Sequence, residues 1–405
     1  MQTLEILDYG DPVNSSDEEE VDDLEENAEP LILYFQPPFY YPICIGNTLA
    51  QRYRIEHKLG HGGFSTVWMA HDVLTNTDVA LKITTLARDE IDREGNMHDE
   101  IRRRVQDTSN LLLAHQDASF SLPSSPGGDG FHRVYVFPLR GPSLHSCFAV
   151  MSMAERMAAA KQLLEALKRL HDAGIVHRDL NDKNVLCGIT PLDTLPTTTK
   201  YTLLTRPKKI RLRTPSGLLG NLVRPVIVPP THINTRSISL CDFGLAATTP
   251  VSSSTPQGPG AWCAPERLHG YAATRASDMW SYTCILAKLY IGELPWSIYG
   301  EAPRGFVRAL GPLPGEWAGR YWRPGWEAAK WYDAALLRPE VEPEAMLGAV
   351  LARARGDVEE EKEEEEERRR VVERVLRRGF CYDAARRITA AELLGDGEFW
   401  GVFGL

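Results

Sequence analysis

The sequence predicts an α+β fold, with a β-rich first part followed by a larger helical part. Two observations carry this. Extended segments rich in β-branched and aromatic residues crowd residues 53–83: Tyr53 to Leu59, Val67 to Met69, and VALKI from Val79 to Ile83. Farther on, Leu163, Leu164, Leu167 and Leu170 recur at i, i+1, i+4 and i+7, a helical period over residues 153–171. The 405 residues suffice for one large two-lobed domain or two ordinary ones, with a sizeable core.

Composition narrows the class. With 43% hydrophobic and 25% charged residues, collagen-like, disulfide-stapled and wholly disordered chains are excluded. No apolar run reaches the roughly 18 residues a membrane helix needs, so no membrane partner is expected. The N-terminus lacks the basic, apolar, small-residue order of a secretory signal, which predicts a cytoplasmic or nuclear location. The seven cysteines are scattered and odd in number, with no C-x-x-C pair, and indicate neither a zinc site nor a disulfide framework.

The net charge of −10 is localised. Residues 1–51 hold 12 acidic side chains and no Lys or Arg, leaving 43 acids and 45 bases in the other 354 residues. The body is near neutral, and no direct nucleic-acid binding is expected. Ser15 to Glu26 is a like-charge block of the kind that stays solvated, so residues 1–30 are predicted as a disordered acidic tail and 31–52 as an extended lead-in. Residues 190–237 carry eight Lys/Arg against the single Asp193, with irregular prolines, and read as a long basic surface insertion. Residues 357–370 (DVEEEKEEEEERRR) run into Val371, Val372, Val375 and Leu376, predicting an exposed charged helix near 357–378.

Between the first extended segments lies LGHGGFS: Leu59, Gly60, His61, Gly62, Gly63, Phe64 and Ser65. Glycines let backbone N–H groups approach phosphate oxygens, although hairpins use glycine as freely. No Gly-Lys-Ser/Thr follows, so the loop is not a Walker A sequence. Lys82 stands inside the apolar VALKI. An ammonium there needs a phosphate or carboxylate partner, unless the strand is an edge strand whose lysine reaches solvent.

Gly174 ends the predicted helix, and IVHRDLNDKNVL follows. Asp179 and Asn184, five apart in a loop, can face one cleft. A carboxylate can accept a hydroxyl proton, and an amide oxygen suits a hard Mg²⁺ ion. In LCDFGLA, Asp242 follows a short apolar strand and precedes a glycine, a place for a second Mg²⁺ ligand. Singly these residues also read as a turn, a cap and a strand end.

Taken in order, with Lys82 upstream, they resemble the eukaryotic protein kinases over residues 53–397. Ala264-Pro265-Glu266 resembles the motif that closes the activation segment, and Asp278-Met279-Trp280 the start of the central large-lobe helix. Arg387 stands where the family's arginine pairs with that glutamate. YYPICIGNTLAQRYRIEHKLGHGGFSTVW, with Ser65 in place of a third glycine, is most similar to the SR-protein kinases. That group also interrupts its large lobe between the positions held here by Asn184 and Asp242, 58 apart, where a compact kinase needs roughly a dozen.

The resemblance implies a two-lobed kinase fold, with a small β-rich lobe near 53–137, a hinge at 138–141, a large helical lobe at 142–405 containing the insertion, and ATP between the lobes. Lys82 would hold the α- and β-phosphates, oriented by Glu100, with Glu94 as second choice. Residues Leu59 to Ser65 would cover the phosphates. Val67, Ala80 and Leu186 would sandwich the adenine, and Phe137 and Leu139 would border it at the hinge. Asp179 would accept the substrate hydroxyl proton, Lys183 would place positive charge at the γ-phosphate, and Asn184 and Asp242 would bind Mg²⁺. The implied cofactors are ATP and Mg²⁺, and the implied partner is an Arg/Ser-rich protein substrate met by a monomer. Arg178 beside Asp179 suggests control by a phosphate on Thr248, Thr249, Ser252, Ser253, Ser254 or Thr255; an unmodified flexible loop is the other reading.

The pattern also departs from the family. Asn181 and Pro259 stand where most Ser/Thr kinases have a lysine and a threonine, while Lys183 and Trp262 resemble tyrosine kinases. The tyrosine-arginine pair that SR-protein kinases carry before the closing motif is absent. Ser/Thr specificity is expected because the small lobe and insertion cover more of the chain. Tyrosine or dual specificity and a pseudokinase scaffold are the alternatives. The acidic run at 357–367 either docks basic substrates or is a solvated helix face, and RPKKIRLR (Arg206 to Arg213) is either an import patch or a soluble basic stretch.

Overall fold

The computed structural model describes residues 9–14, 17–35, 40–87, 92–124, 130–215, 217–251, 259–296, 302–321, 347–353 and 362–405. Two compact units emerge: Met1–Gly95, Leu112–Gly141 and Gly188–Asn234 form one, and Asn96–Leu111, Pro142–Cys187 and Thr235–Leu405 the other.

The first unit is built on a six-stranded antiparallel sheet in the order Thr48–Leu49, Tyr53–Gly62, Ser65–Asp72, Thr77–Thr84, Phe131–Pro138, Phe120–Pro123. Side chains alternate across it. Trp68, Ala70, Val79, Leu81, Ile83, Val134 and Val136 bury into one core with Ile43, Ile45 and Ile55. The pairs Val67↔Lys82, Met69↔Ala80, Ala80↔Phe137 and Lys82↔Tyr135 therefore share the opposite face. Thr77–Thr84 has a neighbour on each side, which removes the edge-strand reading of Lys82.

Two expectations need correcting. The acidic tail is not disordered throughout: Glu18–Asn27 is a helix whose N–H of Glu20 is capped by Asp17. The basic insertion is not an irregular surface loop, and it clusters with the first unit rather than with the large lobe. It contains the helix Thr197–Leu203 and the strands Lys208–Arg213 and Leu219–Val223. The strand Asp11–Pro12 pairs parallel with Lys208–Arg213, so tail and insertion share a sheet. Beneath it Leu24, Ala28, Tyr34 and Tyr40 bury against Leu212 and Leu222.

Charge explains why two polar segments order each other. Arg206 meets Asp11 at 2.7 Å, Arg224 meets Asp23 at 2.9 Å, and Lys208 pairs with Glu20. Deeper, the buried Lys200 ammonium lies 2.8 Å from Glu56 and 2.5 Å from Asp78. Leu192 and Leu204 bury with Met69. The basic stretch Arg206 to Arg213, an import patch or a soluble segment by its sequence, thus has part of its charge matched by the acidic segment.

In the second unit the predicted helix spans Met153–Asp172. It opens with a Ser152–Glu155 capping box, and Gly174 follows it at φ +74°. Tyr282, on the helix Arg275–Ile291, donates to the carbonyl of Ala160 at 3.1 Å. Trp280 of that helix contacts the rings of Trp296, Phe306, Phe380 and Tyr382. Gly379 leaves room for Thr283, whose Oγ1 would lie 2.2 Å from an added Cβ. The charged helix is Lys362–Gly379, with Val371, Val372, Val375 and Leu376 buried; residues 354–361 lie outside the described ones. No described helix is long and apolar enough to cross a membrane.

Candidate active site

On the first unit, both carboxylate oxygens of Glu94 accept from Lys82 Nζ, at 2.7 and 2.9 Å. Their side chains are 10% and 15% exposed respectively. This corrects the choice of Glu100, whose carboxylate instead takes Arg103, at 2.6 Å, and Arg104 on its own helix, Arg93–Arg104. The reason is how the helix starts. Tyr135, the cross-strand neighbour of Lys82, donates its hydroxyl to Asp92. Asp92 in turn accepts the Gly95 N–H at 2.7 Å. A Cβ on residue 95 would lie 2.5 Å from Asp92 Oδ2, so the glycine lets this carboxylate sit close over the helix start. The first helical turn is thereby brought to Lys82. Glu100, six residues on, points about 240° around the helix.

The glycine loop closes a hairpin with Gly60↔Val67 and Gly62↔Ser65 in register. A Cβ on Gly60, Gly62 or Gly63 would meet nothing within 4 Å, so their backbone is open to a ligand. His61 and Phe64 are exposed, and Ser65 is buried. The Tyr40 hydroxyl donates to the Gly62 carbonyl, tying the loop to the N-terminal segment. Val67, Ala80 and Phe137 share the Lys82 face, whereas Leu59 and Leu139 pack with Leu192 and Leu204 of the insertion.

On the second unit a buried carboxylate organises the loop around Asp179. Asp278 accepts the backbone N–H of His177 at 2.7 Å and of Arg178 at 2.9 Å, and meets His171 Nε2 at 3.1 Å. Arg178 is held there at φ +73°. His177 accepts the Asp179 N–H at Nδ1 (3.3 Å) and donates from Nε2 to the Cys241 carbonyl (3.0 Å). The Asp179 carboxylate receives the amides of Asn184 at 3.0 Å and Asn181 at 3.2 Å. Burial raises its proton affinity; His177 opposes this, Asp242 adds to it, and the two amides oppose it.

Cys241 donates its N–H to the Asn184 carbonyl at 2.9 Å, so Asn184 and the stretch leading into Asp242 are neighbours. Asp242 is left-handed at φ +65° and opens the turn Phe243–Leu245. Phe243 is buried against His177 and His98. Because Asn184 Nδ2 also donates to the Asp179 carbonyl at 2.8 Å, its amide oxygen remains the acceptor. That oxygen and the Asp242 carboxylate are hard donors fit for Mg²⁺, which keeps its other positions for water and phosphate. Among the described residues no group of three His, Cys, Asp or Glu could hold a metal by itself. Leu186 is half-buried and bridges to Ser143, and Lys183 is exposed.

Some contributors were missed. Asn181, noted only for replacing a lysine, orients Asp179. Asp182 takes Lys288 at 2.5 Å and His145 at 3.0 Å. Asp278 was legible only as a helix start. The Glu266–Arg387 pair is present, bidentate at 2.7 and 2.9 Å, with Arg387 over the Trp280 ring. The Trp262 carbonyl accepts from Ser281 at 2.7 Å. Thr248 pairs with Ile175, and the Thr249 N–H donates to the Gly174 carbonyl at 2.8 Å. Arg178 Nη1 donates to the Leu245 carbonyl at 3.1 Å. Ser252, Ser253, Ser254 and Thr255 lie outside the described residues.

Comparison with known proteins agrees with this constellation. The family described as protein tyrosine and serine/threonine kinase matches residues 53–303. Serine/threonine-protein kinase AFC1 of Arabidopsis thaliana is 26% identical, covering 68% of this chain and 55% of that protein. Protein kinase dsk1 of Schizosaccharomyces pombe is 37% identical over 42% of this chain and 32% of that one. Serine/threonine-protein kinase SKY1 of Saccharomyces cerevisiae is 32% identical over 41% and 24%. The chain thus spans between a quarter and about half the length of these relatives. A crystal structure of a kinase domain shares the fold, with TM-score 0.59 at 19% identity over 89% of this chain and 99% of that one. By its matched residues, the chain belongs to the protein tyrosine and serine/threonine kinase family.

Proposed function

We propose that this chain transfers the γ-phosphate of Mg-ATP to serine or threonine hydroxyls of a protein substrate, with SR-protein-kinase-like preference for Arg/Ser-rich sequences. The observation that carries this is the Asp179 carboxylate, half-buried and held by the amides of Asn184 and Asn181. Both oxygens are fixed in direction, and burial favours proton uptake, which suits a base for a hydroxyl proton. The ammonium of Lys82, steadied by Glu94, offers charge to phosphate oxygens. The open backbone of Gly60, Gly62 and Gly63 offers N–H donors. Mg²⁺, held by Asn184 and Asp242, would supply neutralisation of phosphate charge. Phosphoryl transfer needs positioning and charge compensation more than covalent chemistry, and these groups provide both.

Tyrosine specificity is the second reading, favoured by the exposed Lys183 and by Trp262. Labelled ATP with a panel of Arg/Ser, acidic and tyrosine peptides separates the two. Label on phosphoserine or phosphothreonine of the Arg/Ser peptide, lost in Asp179→Asn, is the expected result. Label on phosphotyrosine alone would overturn the specificity, and undiminished label in Asp179→Asn would overturn the activity. Monomeric action and a cytoplasmic or nuclear location belong to the same proposal, and sedimentation and imaging of the tagged chain test them.

A further inference from the structure

We propose that Cys147 and Cys187 form a peroxide-reactive dithiol, which a hydroperoxide converts to an intrachain disulfide tying the helix Leu144–Cys147 to the strand that follows Asn184. Their sulfurs stand 2.8 Å apart, and both side chains are buried, at 1% and 0% exposure. Neighbouring backbone fixes the encounter. The Cys187 N–H donates to the Pro142 carbonyl at 2.9 Å, and Ser143 bridges Leu186. Two thiols held in this way react as one unit, because the second step needs no diffusional encounter.

The pair is also chemically uneven. The S–H shared between the two sulfurs holds the Cys147 thiol toward its thiolate, against the opposing effect of burial, and pushes the Cys187 thiol up. By contrast burial, opposed by Arg267 and aided by Glu266 and Asp179, pushes the Cys263 thiol up to about 12. Cys147 is therefore the attacking group. Access follows from the helix that bears it, a single turn of four residues. So short an element opens locally at low cost.

The chemistry balances with hydrogen peroxide as oxidant. The Cys147 thiolate attacks one peroxide oxygen; an S–O bond forms, the O–O bond breaks, and the departing hydroxide takes a proton to leave as water. The Cys187 sulfur then attacks the sulfenic sulfur of Cys147. The S–S bond forms, the S–O bond breaks, and the hydroxide leaves with the Cys187 proton as a second water. Each cysteine gives up one electron and the peroxide takes two. His145, on the same short helix, holds Asp182 between Asp179 and Asn184, so the new bond braces the segment that carries the candidate catalytic loop.

Peptide mapping of the full chain after hydrogen peroxide, denaturation and alkylation tests this. Free thiols should fall from seven to five, with a 2 Da mass loss and one link joining residues 147 and 187, reversed by dithiothreitol. Closing a loop of 40 residues should raise the melting temperature by about 5 °C. Cys187→Ser should instead accumulate a dimedone-trappable sulfenic acid on Cys147, and Cys147→Ser should form no link. The inference fails if Cys147 and Cys187 remain alkylatable at doses that oxidise the other five, or if either links elsewhere. None of these readouts depends on kinase activity.

Discussion

Replacing Glu94 by glutamine tests the arrangement around Lys82 most directly. Its carboxylate takes two charge-assisted contacts from the ammonium, at 2.7 and 2.9 Å, with neither side chain more than 15% exposed. Such bonds contribute about 1.5–3 kcal/mol when a charged partner is lost. If that energy orients Lys82 toward phosphate, Glu94→Gln should lower kcat/KM for ATP about 10- to 150-fold. Glu100→Gln serves as the internal control, since the Glu100 carboxylate takes Arg103 and Arg104 of its own helix rather than Lys82; a change of less than about twofold is expected there. Initial rates against ATP with an Arg/Ser peptide provide the assay, and thermal melts of each variant separate positioning from unfolding. In a Lys82→Met background, Glu94→Gln should add almost nothing further. A tenfold loss in Glu100→Gln, or an unchanged rate in Glu94→Gln, would refute the reasoning.

Three other outcomes follow from the structure. Lys200→Met strands the buried carboxylates of Glu56 and Asp78 and should cost about 3–5 kcal/mol in urea unfolding, partly recovered by adding Glu56→Gln; a loss below about 1 kcal/mol would mean the insertion is not anchored there. Tyr40→Phe removes the donor to the Gly62 carbonyl and should raise KM for ATP about fivefold with kcat unchanged, while a change in kcat alone would assign the hydroxyl another role. The Arg52 guanidinium beside Asp72 holds that carboxyl well below the usual range, with help from Thr75 and the Leu74 N–H. The resulting stability is present above the ordinary carboxylate value near pH 4 and fades as pH falls through the depressed folded value. Arg52→Met should therefore be about 1 kcal/mol less stable at pH 7 and close to wild type in strong acid; an equal deficit at both would assign the loss to packing.

Legibility in the sequence followed how local the physics was. Lys82, Asp179, Asn184 and Asp242 could be picked out because each breaks its own surroundings: an ammonium in an apolar strand, or carboxylates and an amide at the ends of short apolar runs. Glu266 and Arg387 were found through motifs 121 residues apart, and the structure joins them in a buried bidentate pair. Glu94 and Glu100 were ranked in the wrong order, because both sit on one helix and only its phase against the strand bearing Lys82 distinguishes them. The tail and insertion were misread for a related reason. Composition reports that a segment is charged, but not that its counterions wait in another segment nearly two hundred residues away, as Asp11 and Glu20 do for Arg206 and Lys208.

What the sequence by itself determined was therefore the fold class, the chemical inventory and the order in which it appears, all encoded in side-chain type and short-range spacing. Tertiary structure alone decided which acid serves Lys82, that two remote thiols touch, and that a polar insertion is bound through Lys200. Each of these depends on distances between residues far apart in the chain, and such distances exist only once the backbone has closed around its cores.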